Sequence, residues 1–135
     1  MNGLVHEDLT GRILACAIEV HKTLGPGFLE SIYETALFIE LQRAGLLVER
    51  QKTLLVYYRE VQIGEHRLDL LVENQIVMEL KAISALEGIH FAVVRSYLKA
   101  AGLEHGLLLN FATMPLTIKR VIYRPIQANE ESRKT

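Results

Sequence analysis

Two carboxylates and one lysine fall in two short apolar segments, at a spacing that allows them to meet. Asp69 lies in residues 67–72, and Glu79 and Lys81 lie in residues 76–81. Side chains alternate across a β-strand, so Glu79 and Lys81 share one face of the second segment. Two adjacent carboxylates repel each other unless a cation lies between them. That cation is either the ammonium of Lys81 or a hard divalent ion with Lys81 beside it.

The register of the predicted hairpin decides whether the carboxylates meet. A connection through residues 73–75 pairs Val72 with Ile76 and places Asp69 opposite Glu79. The face that must be buried fixes the register, and a two-residue turn would scatter the apolar side chains. The chosen register collects the following residues on the other face: Leu68, Leu70, Val72, Ile76, Met78 and Leu80. We therefore predict that both carboxylates and the ammonium project from one sheet face above a hydrophobic floor.

Two motifs of the chain resemble those of a known superfamily. Asp69, Glu79 and Lys81 have the Asp-x9-Glu-x-Lys spacing that is the core signature of the PD-(D/E)xK nuclease superfamily. The segment Gly27-Phe28-Leu29-Glu30-Ser31-Ile32-Tyr33 resembles the GxxExxY motif that names a family of small nuclease-like proteins. The likeness continues through residues 89–92, 96–99 and 107–111, so it spans most of the chain. It implies a restriction-endonuclease-like fold and cleavage of nucleic acid.

The resemblance also implies a role for each residue of the motifs. Asp69, Glu79 and the backbone carbonyl of Leu80 would be the ligands of Mg²⁺ or Mn²⁺. Lys81 would orient or help deprotonate the attacking water and offset charge on the phosphoryl oxygens. Glu30 would be an additional acidic residue that holds the water shell of the metal.

Tyr33, Arg67 and His90 are the candidate substrate-binding residues. The Tyr33 hydroxyl would orient Glu30 or contact the nucleic-acid backbone, unless Tyr33 is a packing residue at the core margin. Arg67 belongs to a set of basic residues on or beside predicted strands, which forms a substrate patch or protects strand edges. Such families commonly carry a Gln on the helix after the Lys strand, where this chain has Val93, which cannot hold a water. His90, one turn earlier, either compensates or is structural.

Composition limits the organisation of the chain. Its 135 residues, half of them hydrophobic, can bury one core, so we predict a single domain over residues 1–126 and a polar tail over 127–135. Apolar runs are too short to cross a bilayer and the start does not resemble a signal peptide, which predicts a cytoplasmic protein. The lone Cys16 is typical of a small core residue. The net charge of −1 is not that of a strong non-specific DNA binder.

Periodicity and turn residues predict alternating helices and strands. A first helix capped by Asp8 ends at Gly25, and a second carries Leu29 through Leu41. Strands are predicted over residues 53–58, 67–72, 76–81, 106–111 and 118–123. Residues 84–87 have the form of a capping box before a third helix, whose start is either there or near Ile89. Together they predict an α/β fold with a mixed sheet of about five strands, antiparallel through its first three, and helices on both faces.

Two functions from different classes are consistent with these residues. The first is an Mg²⁺-dependent nuclease acting on DNA. The second is a nuclease-fold binding or scaffold protein without turnover, which the Val93 position favours. We also expect a homodimer, formed by an edge strand or the first helix, since a domain this small leaves apolar surface exposed.

Overall fold

Helices and strands alternate along the chain. The computed structural model describes the backbone of residues 2–125 and the side chains from residue 6 onward. The predicted tail, residues 127–135, lies outside the described residues. The elements in chain order are α1 (Asn2–Leu24), α2 (Glu30–Arg43), β1 (Val48–Tyr58), β2 (Val61–Val72), β3 (Ile76–Lys81), α3 (Gly88–Ala101), β4 (His105–Asn110) and β5 (Thr117–Ile122).

The five strands form one mixed sheet in sequence order, β1-β2-β3-β4-β5. The pairs β1–β2, β2–β3 and β4–β5 are antiparallel, whereas β3 and β4 are parallel. Parallel neighbours need a long crossover, and α3 provides it. The predicted α/β fold with a mixed sheet, antiparallel through its first three strands, is confirmed.

Helices cover both faces of the sheet, as predicted. One core cluster joins α1 and α2 to the sheet, and its members include Ile13, Tyr33, Leu37, Leu41, Leu70, Met78 and Leu107. A second cluster joins α3 to the opposite face through Val94, Leu98, Val77, Leu108 and Val121. β3 and β4 are therefore buried on both sides, which explains their continuous apolar sequence. Each fully buried Leu or Val side chain there contributes about 1.5–3 kcal/mol relative to exposure, so these strands are a rigid base for the site.

The starts of α1, β1 and β2 differ from the sequence prediction, and β2 begins at Val61 instead of Arg67. The start of α3 at Gly88 agrees with the alternative near Ile89. α1 begins at Asn2, so Asp8 lies inside the helix and not at its N-cap, because residues 4–7 contain no glycine or proline to interrupt a helix. β1 begins at Val48, earlier than the predicted Thr53, because its first half pairs with the end of β2. The N-cap of α3 is Glu87, whose capping box uses His90 instead of Ser84.

Close packing of α3 on β4 depends on Gly106. A Cβ at this position would lie 2.9 Å from Val94 Cγ1 and 3.4 Å from the Val77 carbonyl oxygen. Gly106→Ala should therefore lower the free energy of unfolding by about 1–3 kcal/mol, because a methyl group overpacks this contact. Urea unfolding measures the loss. Gly64→Ala is the matched control, since a Cβ there meets nothing within 4 Å, and equal stability of both variants would contradict this account.

Candidate functional site

The β2–β3 hairpin has the predicted register. Val72 pairs with Ile76 and Leu70 with Met78. The ladder ends at Leu70 and Met78, and beyond it Asp69 Oδ2 accepts a hydrogen bond of 2.8 Å from Leu80 N. The Asp69 carboxylate thus lies where β2 and β3 separate. It is next to Glu79 and Lys81, which flank Leu80.

One residue of the predicted hydrophobic floor lies on the other side of the sheet. Leu70, Met78 and the other floor residues pack against α1 and α2, whereas Leu68 packs in the cluster on the α3 side. The alternation breaks at Asp69, where the β1–β2 ladder skips the position opposite Gln51. Gln51 has φ 49°, a left-handed conformation that non-glycine residues rarely adopt. The prediction for Leu68 was wrong because nothing in the Gln51 side chain signals this irregularity.

Asp69, Glu79 and Lys81 come together at the end of the sheet where β2 and β3 separate. Glu79 is only 6% exposed, and its Oε2 lies 3.6 Å from Lys81 Nζ. Its other oxygen, Oε1, is buried and has no hydrogen-bond partner when both carboxyls are ionised, whereas a shared proton forms a hydrogen bond between Glu79 and Asp69. A buried carboxylate oxygen without a partner costs free energy, so this atom is suited to a ligand.

The surroundings of Asp69 favour its neutral form. Burial raises the pKa of Asp69 to about 6, and the hydrogen bond from Leu80 N opposes that shift. The charges of Glu34 and Glu30 raise this pKa further, and Lys81 lowers it. Asp69 thus experiences more negative than positive charge from its neighbours.

Glu79 is shifted further in the same direction. Burial, followed by the charge of Asp69, raises the pKa of Glu79 to about 8, and Lys81 lowers it. The two carboxyl groups titrate as a pair, so they hold roughly one proton between them at neutral pH. Lys81 therefore does not neutralise the fully ionised pair, and a second cation would.

Two glutamates of α2 lie near the pair. Glu30 is the first residue of α2 and is exposed, and its charge acts on both Asp69 and Glu79. Glu34, one turn later, is buried and accepts hydrogen bonds from Arg50 Nε at 3.3 Å and Gln51 Nε2 at 2.8 Å. Sequence reasoning missed Glu34, although its spacing of four from Glu30 places both on one helix face.

Tyr33 does not reach the site. It is fully buried, and its hydroxyl donates to the Gly25 carbonyl at 2.5 Å and accepts from Phe28 N at 3.1 Å. Its ring stacks on Phe111 with 4.6 Å between centroids. Of the two alternatives for Tyr33, the structure agrees with the packing residue, because the hydroxyl holds the loop between α1 and α2 and does not contact Glu30.

The side of the site formed by α3 contains a tyrosine that the sequence analysis did not select. His90 is partly buried, and its Nδ1 accepts a hydrogen bond of 2.9 Å from Glu87 N. Val93 is half-buried one turn later. Tyr97 follows after another turn, and burial, then the charges of Glu79 and Asp69, raise its pKa to about 12. His90, Val93 and Tyr97 are spaced by three and four residues, which places them on one face of α3 and could have indicated Tyr97 from the sequence.

The residues present fit a divalent ion with a large water shell. Within residues 6–125 no group of three or more His, Cys, Asp or Glu side chains is arranged to hold a metal. The pair Asp69 and Glu79 supplies two hard oxygen ligands, one of them the unpartnered Oε1. Mg²⁺ is commonly bound through one or two carboxylates with several waters retained, which matches this donor set.

Comparison with known proteins identifies the family. The sequence model of the PD-(D/E)XK nuclease superfamily matches residues 7–121. The chain belongs to this superfamily. The membership confirms the superfamily predicted from Asp69, Glu79 and Lys81, whereas the narrower GxxExxY likeness stays a prediction.

A similar solved structure supports the fold alone. The crystal structure of SSO0001 is similar with a TM-score of 0.56 and 19% sequence identity, over 76% of this chain. The match covers 54% of the SSO0001 chain, so this chain spans about half its length. A search of the curated proteins returned no match. Within residues 2–125, no helix is sufficiently long and apolar to cross a membrane.

The raised pKa values of Asp69 and Glu79 predict how stability depends on pH. The folded protein binds protons more tightly than the unfolded chain, so stability is highest at acid pH and is lost as pH rises toward about 8. In metal-free buffer, Glu79→Gln should flatten this dependence. At pH 8.5 it should add about 1 kcal/mol to the free energy of unfolding, or roughly 4 °C in melting temperature.

Urea unfolding with a chelator present, repeated from pH 5 to pH 9, measures this dependence. Glu65→Gln, an exposed residue on β2, is the control and should keep the wild-type slope. A Glu79→Gln protein that is less stable than wild type at every pH would mean that the ion pair with Lys81 stabilises the fold.

Proposed function

We propose that this protein is an Mg²⁺- or Mn²⁺-dependent nuclease that hydrolyses phosphodiester bonds in DNA. The observation that carries the proposal is the buried pair Asp69 and Glu79, with one oxygen unpartnered and Lys81 Nζ 3.6 Å from the other. Ionisable groups shifted by burial and by each other cluster at functional sites. Membership of the PD-(D/E)XK nuclease superfamily supports the same reaction class.

Asp69, Glu79 and the backbone carbonyl of Leu80 are the proposed metal ligands. The hydrogen bond from Leu80 N fixes one Asp69 oxygen, which orients the carboxylate and leaves the other oxygen for the ion. When bound, the ion would supply Lewis-acid polarisation of the phosphate and acidify a water. Ion binding requires both carboxylates in ionised form, so the pair must release its shared proton.

Lys81 and Glu30 are proposed to act on the water and the phosphate. The Lys81 side chain is 24% exposed, so its ammonium is accessible to an attacking water while it remains beside Glu79. It orients that water and offsets negative charge developing on the phosphoryl oxygens. Glu30 is exposed on the first turn of α2 and holds ordered water at the edge of the site.

The proposed contacts to DNA come from β2 and α3. Arg67 is exposed on β2, two residues before Asp69, and is placed to contact a phosphate. On α3, the His90 ring is partly used by the capping box. The Tyr97 hydroxyl lies close enough to Glu79 for that charge to raise its pKa. It is the proposed hydrogen-bond donor to DNA in the region where Val93 provides no donor.

A cleavage assay with Mn²⁺ over linear, single-stranded and branched DNA tests the reaction. Glu79→Gln and Asp69→Asn should each lower the rate by about 100-fold or more, because each removes a metal ligand. Lys81→Met should lower the rate comparably while the ion still binds. Glu65→Gln should retain wild-type activity, and cleavage that survives in Glu79→Gln would refute the assignment.

Thermal unfolding with Mn²⁺ separates metal binding from catalysis. An ion at 100 times its dissociation constant stabilises the fold by about 2.7 kcal/mol, so the wild-type and Lys81→Met melting temperatures should rise. The Asp69→Asn melting temperature should not rise. DNA binding without cleavage and without a metal-induced rise in wild type would favour the second candidate, a binding protein without turnover, which Val93 supports.

The β1–β2 ribbon is the proposed interface of a homodimer. Only residues 70–72 of β2 pair with β3, so the distal part of β1 and β2 continues as a two-stranded ribbon. The ribbon exposes Leu55, Tyr57, Tyr58, Val61 and Ile63, each at least 43% accessible. Exposed apolar side chains on a ribbon of this kind favour association, and β1 is an edge strand with a free backbone edge.

Light scattering at micromolar concentration should give the mass of a dimer for wild type. Ile63→Lys should give a monomer, because it places a charge in the apolar ribbon. Ile122→Lys is the matched control, since Ile122 is similarly exposed at 48% on the other edge strand. A dimer that Ile63→Lys leaves intact would place the interface elsewhere, with α1 as the next candidate.

A further inference from the structure

A second cluster of titratable side chains lies at the opposite end of the sheet from Asp69 and Glu79. Here β3 and β4 begin and β5 ends, so Ile76, His105 and Ile122 are neighbours across three strands. A cavity of about 220 Å³ lies at this end, between α1 and the sheet. Ile76 and Leu107 form an apolar part of its lining, and His6, Glu7, His105, Arg120 and Arg124 form a polar part.

Two histidines meet in this cavity. The rings of His6 and His105 are 4.3 Å apart between centroids, at an angle of 48°. The Nδ1 atom of His6 is buried and has no hydrogen-bond partner. Leaving a buried polar atom without a partner costs about 1–3 kcal/mol, a cost that a bound ligand would remove.

Two arginines give the cavity a positive potential. Burial and the neighbouring His6 lower the pKa of His105, and the charges of Arg124 and Arg120 act in the same direction. Glu104 partly offsets this, since its Oε1 lies 3.7 Å from Arg124 Nε and 3.9 Å from His105 Nε2. In the part of the chain with described side chains, Arg120 forms no salt bridge.

The lining selects an anion over a metal ion. The two guanidiniums repel a cation, and residues 6–125 contain no group of three metal-ligating side chains. The planar fork of Arg matches the oxygens of a phosphate, and a neutral imidazole N–H adds a further donor. Glu7 is the opposing feature, because its carboxylate on the rim repels an anion.

We propose that this cavity binds a phosphate group, either as free phosphate or at the end of a small phosphate monoester. Its volume is below the roughly 300–1,000 Å³ of most small-molecule sites, so it suits a single ionic group. A neighbouring cavity of about 280 Å³ shares His6, His105 and Arg124 and is also lined by Leu103 and Gln75. That neighbour has room for the remainder of a monoester. The site does not depend on the nuclease proposal, since none of its residues belongs to the carboxylate site.

Imidazole NMR spectra of the full chain test the proposal. Inorganic phosphate and adenosine monophosphate are added separately to about 10 mM, roughly ten times the dissociation constant that corresponds to −4 kcal/mol. The ring signals of His6 and His105 should shift, whereas those of His21, whose Nε2 is bonded to the Thr113 carbonyl, should not. Sodium chloride at the same ionic strength should leave all three unchanged.

Three variants link the shifts to the cavity. Arg120→Gln should weaken binding about tenfold or more, because a hydrogen bond to a charged group is lost. Arg95→Gln, an exposed arginine on the other side of the sheet, should bind as wild type. Glu7→Gln should bind phosphate more tightly, since it removes a negative charge. Circular dichroism establishes that each variant is folded.

The two ligands distinguish the sources of the phosphate group. Tighter binding of adenosine monophosphate assigns the site to a monoester that extends into the neighbouring cavity. Equal or weaker binding assigns it to the free ion. Absence of shifts with both ligands, shifts reproduced by sodium chloride, or unchanged binding in Arg120→Gln would overturn the proposal.

Discussion

The hydrogen bond from Leu80 N to Asp69 Oδ2 is the contact on which the candidate site depends. It forms where the β2–β3 ladder ends. There the Asp69 carboxylate, instead of a backbone carbonyl of β2, accepts the hydrogen bond from β3. The donor lies on β3, a strand covered on both faces by the two core clusters. A rigid buried strand therefore fixes the position of Asp69, and through it the distance to Glu79 on the same strand as the donor. If the Leu80 N–H moved away from Asp69, the two carboxylates would separate even though their spacing in the sequence is unchanged.

Much of this arrangement follows from the sequence because a strict period of two leaves one workable register. Once residues 73–75 are the turn, burying Leu70 and Met78 together requires Asp69 to lie near Glu79. The apolar run of β4 likewise indicated a strand covered on both faces. In each case one strong constraint, burial of a whole face, determines many side chains at once, and superfamily membership agrees with it.

Other features depend on single contacts, which a pattern does not reveal. The left-handed Gln51 is not a glycine, so the break that moves Leu68 to the α3 side had no signal in the residue type. Tyr33 is a conspicuous motif residue, yet its hydroxyl is used by the loop at Gly25. Tyr97 lies one turn after Val93, outside both motifs of the chain. A motif predicts the position of a residue in the fold. The surrounding packing determines which of its atoms are free to bind a ligand.

The net charge of −1 conceals a separation of charge along the sheet. At one end of β3 lie Asp69 and Glu79, with Glu30 and Glu34 adding negative potential. At the other end Arg120 and Arg124 act on His105. Glu79 is three residues along β3 from Ile76, which pairs with His105. Roughly 10 Å of strand at about 3.3 Å per residue therefore separates the two groups, close to the Debye length of about 8 Å at physiological salt.

Salt therefore screens much of the interaction between the two groups, and the potential at the acidic end depends mainly on the side chains around Asp69 and Glu79. With about one proton on the pair at neutral pH, Asp69, Glu79 and Lys81 together carry little net charge, and the charge of Glu30 keeps the potential at this end negative. Under the proposed function, a divalent ion would displace that proton and make the pair less negative. Under the same proposal, metal binding would therefore favour the approach of a DNA phosphate as well as supply the chemistry, and the net charge of −1 is consistent with that order of events.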